Sequence, residues 1–480
     1  MTKAIDGLSA LLPTAALSNP IRHPARDSRI GFPPVMGGTA KPIRDFLRFE
    51  GAESIRVADT TLAVFNHQPA PLRMPKASHA VVVSAMFAAL AFQMPSSHAA
   101  DEGRTPGVTK SEIKIGQSAP YSGPASGYGV YGKAQQAFFR MLNDQGGING
   151  RRVNLISLDN GYSPPKAIEQ TRILVEEQGV LAEAGTLGTA PNTAIQRYLN
   201  AHKIPHLFPT TGGVRFNDPK QFPWTVPIYP SYVAQGKIFA RYVLQKKPDA
   251  RIGVLYENDD LGKDFFQGLK EGLGAKASSM LVKVESFELS DPTVDSQILS
   301  LKAAGVDTLF HFSTTKFAAL GLRKVYDLGW KPLQFLASVG GSIGGTLAPV
   351  GLDKTVGVMT MQWEKVPGDP TWDESPDMKE YLAFLKKYMP EQDPRDATTV
   401  PAYINAWMIA YVLRQCGDDL TRENVLRIAT HLKDVTPPML MPGISLSNSP
   451  TDYTAYHRLA LVRFDGKQWV GNELISLDDL

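Results

Sequence analysis

The stretch IKIGQSAPYSGPASGYGVYGKAQQAFFRMLNDQGGINGRRVNLISLD, residues 113–159, decides how the rest of the chain is read. It opens with the β-rich run EIKIGQSAP from Glu112. It then turns helical: Ala134, Ala137, Phe138, Met141 and Leu142 share one helical face, and Gly146 is the stop. RRVNLISLD follows as a second strand. A strand, an amphipathic helix and a second strand within so short a span predict a parallel pair with a crossover helix.

The same grammar continues outward. Ser163-Pro164 opens a helix, with Ser at the N-cap and Pro at the first helical position, running through KAIEQTRILVEEQ. GVLAEAG, NTAIQRYLNAH and IPHLFP extend the alternation. A Pro- and aromatic-rich stretch, FPWTVPIYPSYVAQG (222–236), interrupts it, and the alternation then restarts at RIGVLYE and runs to KTVGVMTMQ. Helices are expected at DMKEYLAFLKKYM, AYINAWMIAYVLRQC and RENVLRIATHL, and a terminal strand pair turns at Asp465-Gly466. The fold class is therefore α/β, with two doubly wound α/β lobes joined near Pro227 to Ser231.

MPKASHAVVVSAMFAALAFQMPSSHAADE (74–102) has the layout of an export signal. Lys76 gives the charge, Ala80 to Met94 the apolar run, and Ser97-His98-Ala99 a cleavage site after Ala99. The run is too short for a bilayer span, which takes about 20 residues. Because such a signal is N-terminal, Met74 is the expected start. Residues 1–73, rich in Pro, Gly and Arg without periodicity, then form a mis-called or disordered extension; a genuine N-terminal tail is the alternative. Residues 1–99 hold 10 Lys+Arg and 6 Asp+Glu of the chain's 50 and 47, so the remainder has a net charge of −1. That balance gives no reason to expect a nucleic-acid partner. Cys416 is the single cysteine, so no intrachain disulfide forms.

Signals for enzymatic chemistry are weak. GYGVYG (127–132) matches G-x-G-x-x-G, and Asp159 ends the next strand, but APYSGPAS separates the glycines from the first strand. A dinucleotide site needs them directly after it. No G-x-S-x-G elbow occurs. His202 and His206 have i,i+4 spacing, but Pro205 breaks the helix between them, so they read as loop or surface residues and not as metal ligands. GDPTWDESPD (368–377) reads as a solvated loop. No enzyme activity, cofactor or metal is expected.

With these motifs in place, the sequence resembles the Leu/Ile/Val-binding family of periplasmic solute-binding proteins. The resemblance covers 108–480 and rests on Y-S-G-P…G…GINGR, GTLGTAPNTA, DSQILSLKAAGVDTLF and the terminal FDGKQW, all in family order. It implies a type I periplasmic binding fold: two lobes and a hinge crossed three times. One lobe would take 100–230 plus about 362–450, the other 231–361 plus about 451–480. It also implies a monomeric periplasmic receptor that delivers a small-molecule solute to an inner-membrane ABC permease. A branched-chain amino acid or amide-binding receptor, or a ligand-sensing module of a signalling system, is the alternative use of this fold.

By family position, Thr189 and the Thr210-Thr211-Gly212 run would hold a ligand carboxylate, which suits hydroxyls and backbone N–H groups near a helix N-terminus. Tyr128 would cover the ligand from the first loop, and Tyr403 would be a second aromatic at the cleft. Val339 stands where amino-acid-binding members carry an acid for the ammonium, and Leu261 where they carry a cleft tyrosine. A buried ammonium without a carboxylate is costly. These departures favour a hydrophobic carboxylate, an aromatic acid first, over leucine or valine. Asp259, Asp260 and Glu364 remain candidates for the missing charge.

Overall fold

The computed structural model describes residues 105–396, 398–471 and 473–480, so the expectations for the export signal and for 1–73 lie outside the described residues. The quoted stretch forms β1 (Glu112–Ala119), α1 (Gly129–Asp144) and β2 (Arg152–Asp159). β1 and β2 pair in parallel from Glu112–Arg152 to Ala119–Asp159. α2 (Pro164–Arg172), β3 (Glu183–Ala184), α3 (Thr189–Ala201), β4 (His206–Leu207) and β5 (Thr225–Val226) complete a five-stranded sheet in the order β2-β1-β3-β4-β5.

α4 (Tyr232–Lys246) starts the second half, capped by Ser231 Oγ on Ala234 N. β6 (Ile252–Glu257), α5 (Asp260–Leu273), α6 (Ala277–Met280), β7 (Leu281–Phe287), α7 (Asp295–Ala303), β8 (Thr308–Phe312), α8 (Thr315–Asp327), β9 (Leu333–Leu336), α9 (Ala348–Val350) and β10 (Met359–Gln362) follow. The chain then returns to the first half, where α10 (Pro376–Tyr388) and α11 (Thr399–Gln415) pack on α1, and α12 (Arg422–Ala429) packs on α11. Finally β11 (Arg458–Phe464) crosses back to pair antiparallel with β10, and β12 (Trp469–Val470) and β13 (Leu474–Ser476) pair with β11. The second sheet runs β12-β11-β10-β9-β8-β6-β7.

Glycines set the closest helix contact. A Cβ on Gly268 of α5 would lie 2.1 Å from Val233 O of α4, and one on Gly236 would lie 2.4 Å from Phe265 O. The backbones can approach this closely only without side chains between them. Burial of α11 is almost all-round, as its apolar sequence requires. Asp465-Gly466 does turn β11 into β12, with Asp465 Oδ1 accepting from Lys467 N and Gln468 N. Ser163 precedes α2 as the N-cap residue, but its side chain makes no cap bond. Among the described residues, no helix is long and apolar enough to cross a membrane.

Candidate functional site

Each sheet reverses its strand order beside its first strand: between β1 and β3 in one, and between β6 and β8 in the other. Loops at the carboxyl ends of such strands diverge and leave a crevice, the general place for ligands in open α/β sheets. The four loops at these points meet across a cavity of about 110 Å³. Tyr128 follows β1, Thr189 follows β3, Leu261 follows β6 and Thr314 follows β8, and all four line it. The volume is small beside common drug-sized pockets of about 300–1,000 Å³, so the enclosed space suits a compact molecule.

The two halves touch over this cavity. Tyr128 Oη donates to Val339 O at 2.9 Å and accepts from Thr315 N at 3.0 Å. Farther along the seam, Asp260 Oδ2 of α5 accepts from Thr193 Oγ1 of α3 at 3.0 Å and lies 3.5 Å from the Arg215 guanidinium. Asp264 Oδ2 accepts from Val214 N at 2.8 Å. The two halves are thus hydrogen-bonded to each other along this seam.

Thr189, Thr210, Leu261 and Val339 line the cavity alongside Tyr128. Thr189 begins α3, whose first backbone N–H groups have no intrahelical acceptor. Its Oγ1 lies 2.9 Å from Thr211 Oγ1, which itself accepts from Gly213 N. Thr211 is fully buried behind Thr189. Thr210 Oγ1 donates to Tyr131 Oη at 2.6 Å. Gly212 lies at the backbone behind the site: its carbonyl accepts from Tyr232 N, and a Cβ there would meet Pro230 O at 2.2 Å.

Tyr403 is placed elsewhere. Its ring packs against Phe138, Tyr381 and Phe384, with centroids 5.2, 5.3 and 5.0 Å away. The cavity takes Thr398 and Pro401 from this segment instead. Tyr403 is two residues beyond Pro401, about 200° round the helix, so it faces the core.

Several lining residues carried no signal of their own in the sequence. Tyr131, Tyr162, Tyr229, Tyr232, Trp363 and Trp469 surround the space with rings. Three crossings between the halves supply an aromatic cluster: Tyr229 meets Trp363 at 5.1 Å, and Trp363 meets Tyr456 at 6.0 Å. The usable signal was the Pro- and aromatic-rich stretch at 222–236, which holds two of these rings. Among the described residues, no Lys, Arg or His lines the cavity. An anionic ligand group would therefore rely on hydroxyls and backbone N–H groups.

Three acids near the cavity each leave one buried oxygen without a hydrogen-bond partner: Glu257 Oε1, Asp259 Oδ2 and Glu364 Oε2. Asp259 caps α5 through Gly262 N, and Asp260 is committed to the seam. Glu257 Oε2 accepts from Thr314 N and Thr314 Oγ1, and burial and the nearby Asp259 push its carboxyl up. Glu364 lines the cavity, and its Oε2 is buried with no hydrogen-bond partner. Burial alone pushes this carboxyl up to about 8.

Three other sequence features find structural explanations. The glycines of GYGVYG lie in a one-turn helix (Ser126–Tyr128) and the first turn of α1, and Asp159 holds the loop before them. Asp159 accepts from Tyr121 N, Ser122 N and Gly161 N and pairs with Lys166 at 2.6 Å. His206 is a correction: it is fully buried on β4, with Nε2 bonded to Asn192 Oδ1 at 2.7 Å. GDPTWDESPD is corrected in part, since Asp377 grips Lys365 with both oxygens and accepts from Met439 N. Among the described residues, no cluster of His, Cys, Asp or Glu is arranged to hold a metal.

Comparison with known proteins gives a consistent result. The family model described as periplasmic binding protein matches residues 112–468. Leu/Ile/Val-binding protein homolog 3 of Brucella melitensis biotype 1 is 22% identical over 76% of this chain and 94% of its own. Homolog 1 of Brucella abortus is 23% identical over 69% and 85%. Among solved structures, a branched chain amino acid ABC transporter from Thermus thermophilus with bound valine has a TM-score of 0.69 at 16% identity, covering 77% of this chain and 97% of its own. A fatty acid ABC transporter substrate-binding protein from Thermomonospora curvata has a TM-score of 0.64 at 21% identity, covering 78% and 94%. At these identities the structural likeness is one of fold.

Proposed function

Because this chain belongs to the periplasmic binding protein family, in its Leu/Ile/Val-binding branch, we propose that it is the solute receptor of an ABC importer and binds a small hydrophobic carboxylate by hinge closure. The lobes are taken as 100–230 with about 362–450, and 231–361 with about 451–480. The observation that carries the reading is the contact of Tyr128 with Val339 O and Thr315 N, made over a hydroxyl-lined, ring-walled cavity. These bonds form only when the halves meet, so a solute that favours their meeting converts binding into a closed surface for a permease.

Thr189, Thr210 and the start of α3 would hold the carboxylate, with Thr211 steadying Thr189 from behind. Leu261, Val339 and the Tyr and Trp rings would take the apolar body. That lining suits an aromatic acid. A branched-chain amino acid is the second reading, supported by the names of the Brucella relatives and by Glu364 at the cavity wall.

A thermal-shift screen of aromatic acids, branched-chain and aromatic amino acids, amides and dicarboxylates tests this, because a ligand that binds only the folded form raises its stability. A monocarboxylate is expected to give the largest shift, with a smaller radius of gyration in solution scattering. Absence of any shift by monocarboxylates, or a shift without compaction, would overturn the proposal.

A further inference from the structure

We propose that Tyr162 is a specificity-determining residue of the cleft, and that its phenol donates a hydrogen bond to a neutral oxygen, hydroxyl or carbonyl, carried by the hydrophobic acid. The inference rests on the carboxylate-receptor reading above and adds a second polar group to the ligand. Tyr162 follows β2 and lines the cavity, and it is buried. Its backbone is left-handed, with φ at 59°. Glycine or asparagine takes that conformation readily, whereas a bulky side chain is strained in it. Buried Asn160 holds it there: Asn160 Oδ1 accepts from Tyr162 N at 2.8 Å, and Asn160 Nδ2 donates to Ser118 Oγ of β1 at 3.1 Å. Gly188, just before Thr189, leaves room for the ring, because a Cβ there would lie 2.6 Å from Tyr162 Cε2. Strain kept at a cavity wall by a buried amide and a glycine points to a use for this side chain.

The fold gives the phenol no task of its own. Tyr128 bonds Val339 O and Thr315 N, and Tyr131 bonds Thr210. Tyr229 has the Ser338 hydroxyl beside it, and Tyr232 has those of Thr189 and Thr211. For the Tyr162 phenol, no hydrogen bond is present among the described residues; burial first, then Glu257 and Asp259 on the facing half, push it far above its usual range. It is therefore a neutral donor left over for a ligand, and leaving it unpaired in the bound state is costly. The same two acids narrow the ligand group. Each keeps one buried oxygen without a partner, and burial pushes both carboxyls up. A second carboxylate on the ligand would be disfavoured beside them. A hydroxyl or carbonyl oxygen accepts from the phenol and adds no charge.

The test uses acids that differ by one oxygen: 3-phenylpropanoate with its 4-hydroxyphenyl, 2-hydroxy and 2-oxo derivatives, and 4-methylpentanoate with its 2-hydroxy and 2-oxo derivatives. L-phenylalanine and L-leucine are the amine controls. The wild type and Tyr162→Phe are titrated by calorimetry. In the wild type, the best oxygenated acid is expected to bind about tenfold or more tightly than its parent. In Tyr162→Phe, that ratio should fall to about twofold or less. A purely structural role would weaken both members alike and leave the ratio unchanged. Because the phenol has no partner inside the fold, ligand-free Tyr162→Phe should melt no lower than the wild type. A variant that melts several degrees lower, or does not fold, gives the phenol a structural task and overturns the inference. Equal binding of parent and oxygenated acids by the wild type, a ratio unaltered in the variant, or tighter binding of an amino acid than of every oxygenated acid also overturns the role of Tyr162, and each leaves the carboxylate reading standing. Failure of every monocarboxylate to bind removes the receptor reading, and this inference with it.

Discussion

Tyr128 and Val339 lie on opposite halves of the molecule, and the phenol of the first donates to the carbonyl of the second at 2.9 Å. The same oxygen accepts from Thr315 N, so one side chain closes two gaps at once. Burial pushes this phenol well above its usual range, so it stays a neutral donor throughout physiological pH.

Tyr128→Phe removes both bonds and leaves the ring. A hydrogen bond contributes about 0.5–1.5 kcal/mol net, so the closed state should lose roughly tenfold in population. The expected readout by stopped flow is a faster ligand off-rate with a nearly unchanged on-rate. An unaltered off-rate would show that the contact is incidental to closure.

Thr189→Ala and Thr211→Ala test the carboxylate grip. Hydrogen bonds to charged groups contribute about 1.5–3 kcal/mol, so Thr189→Ala should weaken binding by about 10- to 100-fold. Thr211→Ala acts through the 2.9 Å contact with Thr189 and should cost less. Both proteins should fold, by circular dichroism. Calorimetry that finds wild-type affinity for Thr189→Ala would remove that end of the site.

Tyr403→Ala should behave in the opposite way. Its ring is packed among Phe138, Tyr381 and Phe384, and removing a buried aromatic side chain costs about 3–5 kcal/mol. The melting temperature should fall by several degrees. Ligand affinity, measured well below that temperature, should stay within about twofold, and a large loss would return Tyr403 to the cleft.

Glu183 gives a pH prediction away from the ligand. It is fully buried on β3, bonded to Thr171 and Thr186 hydroxyls, and burial raises its carboxyl to about 7. The folded state holds a proton that the unfolded chain releases near 4.5. Its contribution to stability is therefore complete below that value, declines as pH rises to about 7, and is flat above. Glu183→Gln keeps the shape and should melt higher than wild type at pH 8 and about equally at pH 4. Equal melting at both would show that folding does not raise this carboxyl above its ordinary range.

The export expectation is checked on the protein recovered from the periplasm. Sequencing its N-terminus should give Ala100 or Asp101. Recovery of Met1 would show that the upstream stretch is retained.

The alternation of strands and helices was legible because it is local. Apolar spacing in residues 113–159, Ser163-Pro164 at the start of α2, and Asp465-Gly466 each act within a few residues of themselves. The polar loops were legible for the same reason, since Thr189 follows a strand after the short turn GTLG and opens a helix. α11 marks the limit. Being apolar all round, it has no polar stripe to say which face meets the cleft, and the family position of Tyr403 pointed to the wrong side.

The sequence by itself determined two α/β units, their polar strand-end loops and the likeness to one family. Only the tertiary structure decided what shares the cavity. Tyr229, Trp363 and Tyr456 come from three separate crossings, and Glu364 lines the same cavity as Thr189 although the two are far apart in sequence. Local pattern reports which face of an element is apolar. Whether a carboxyl has a partner depends on residues far away in the chain, and folding alone brings them together.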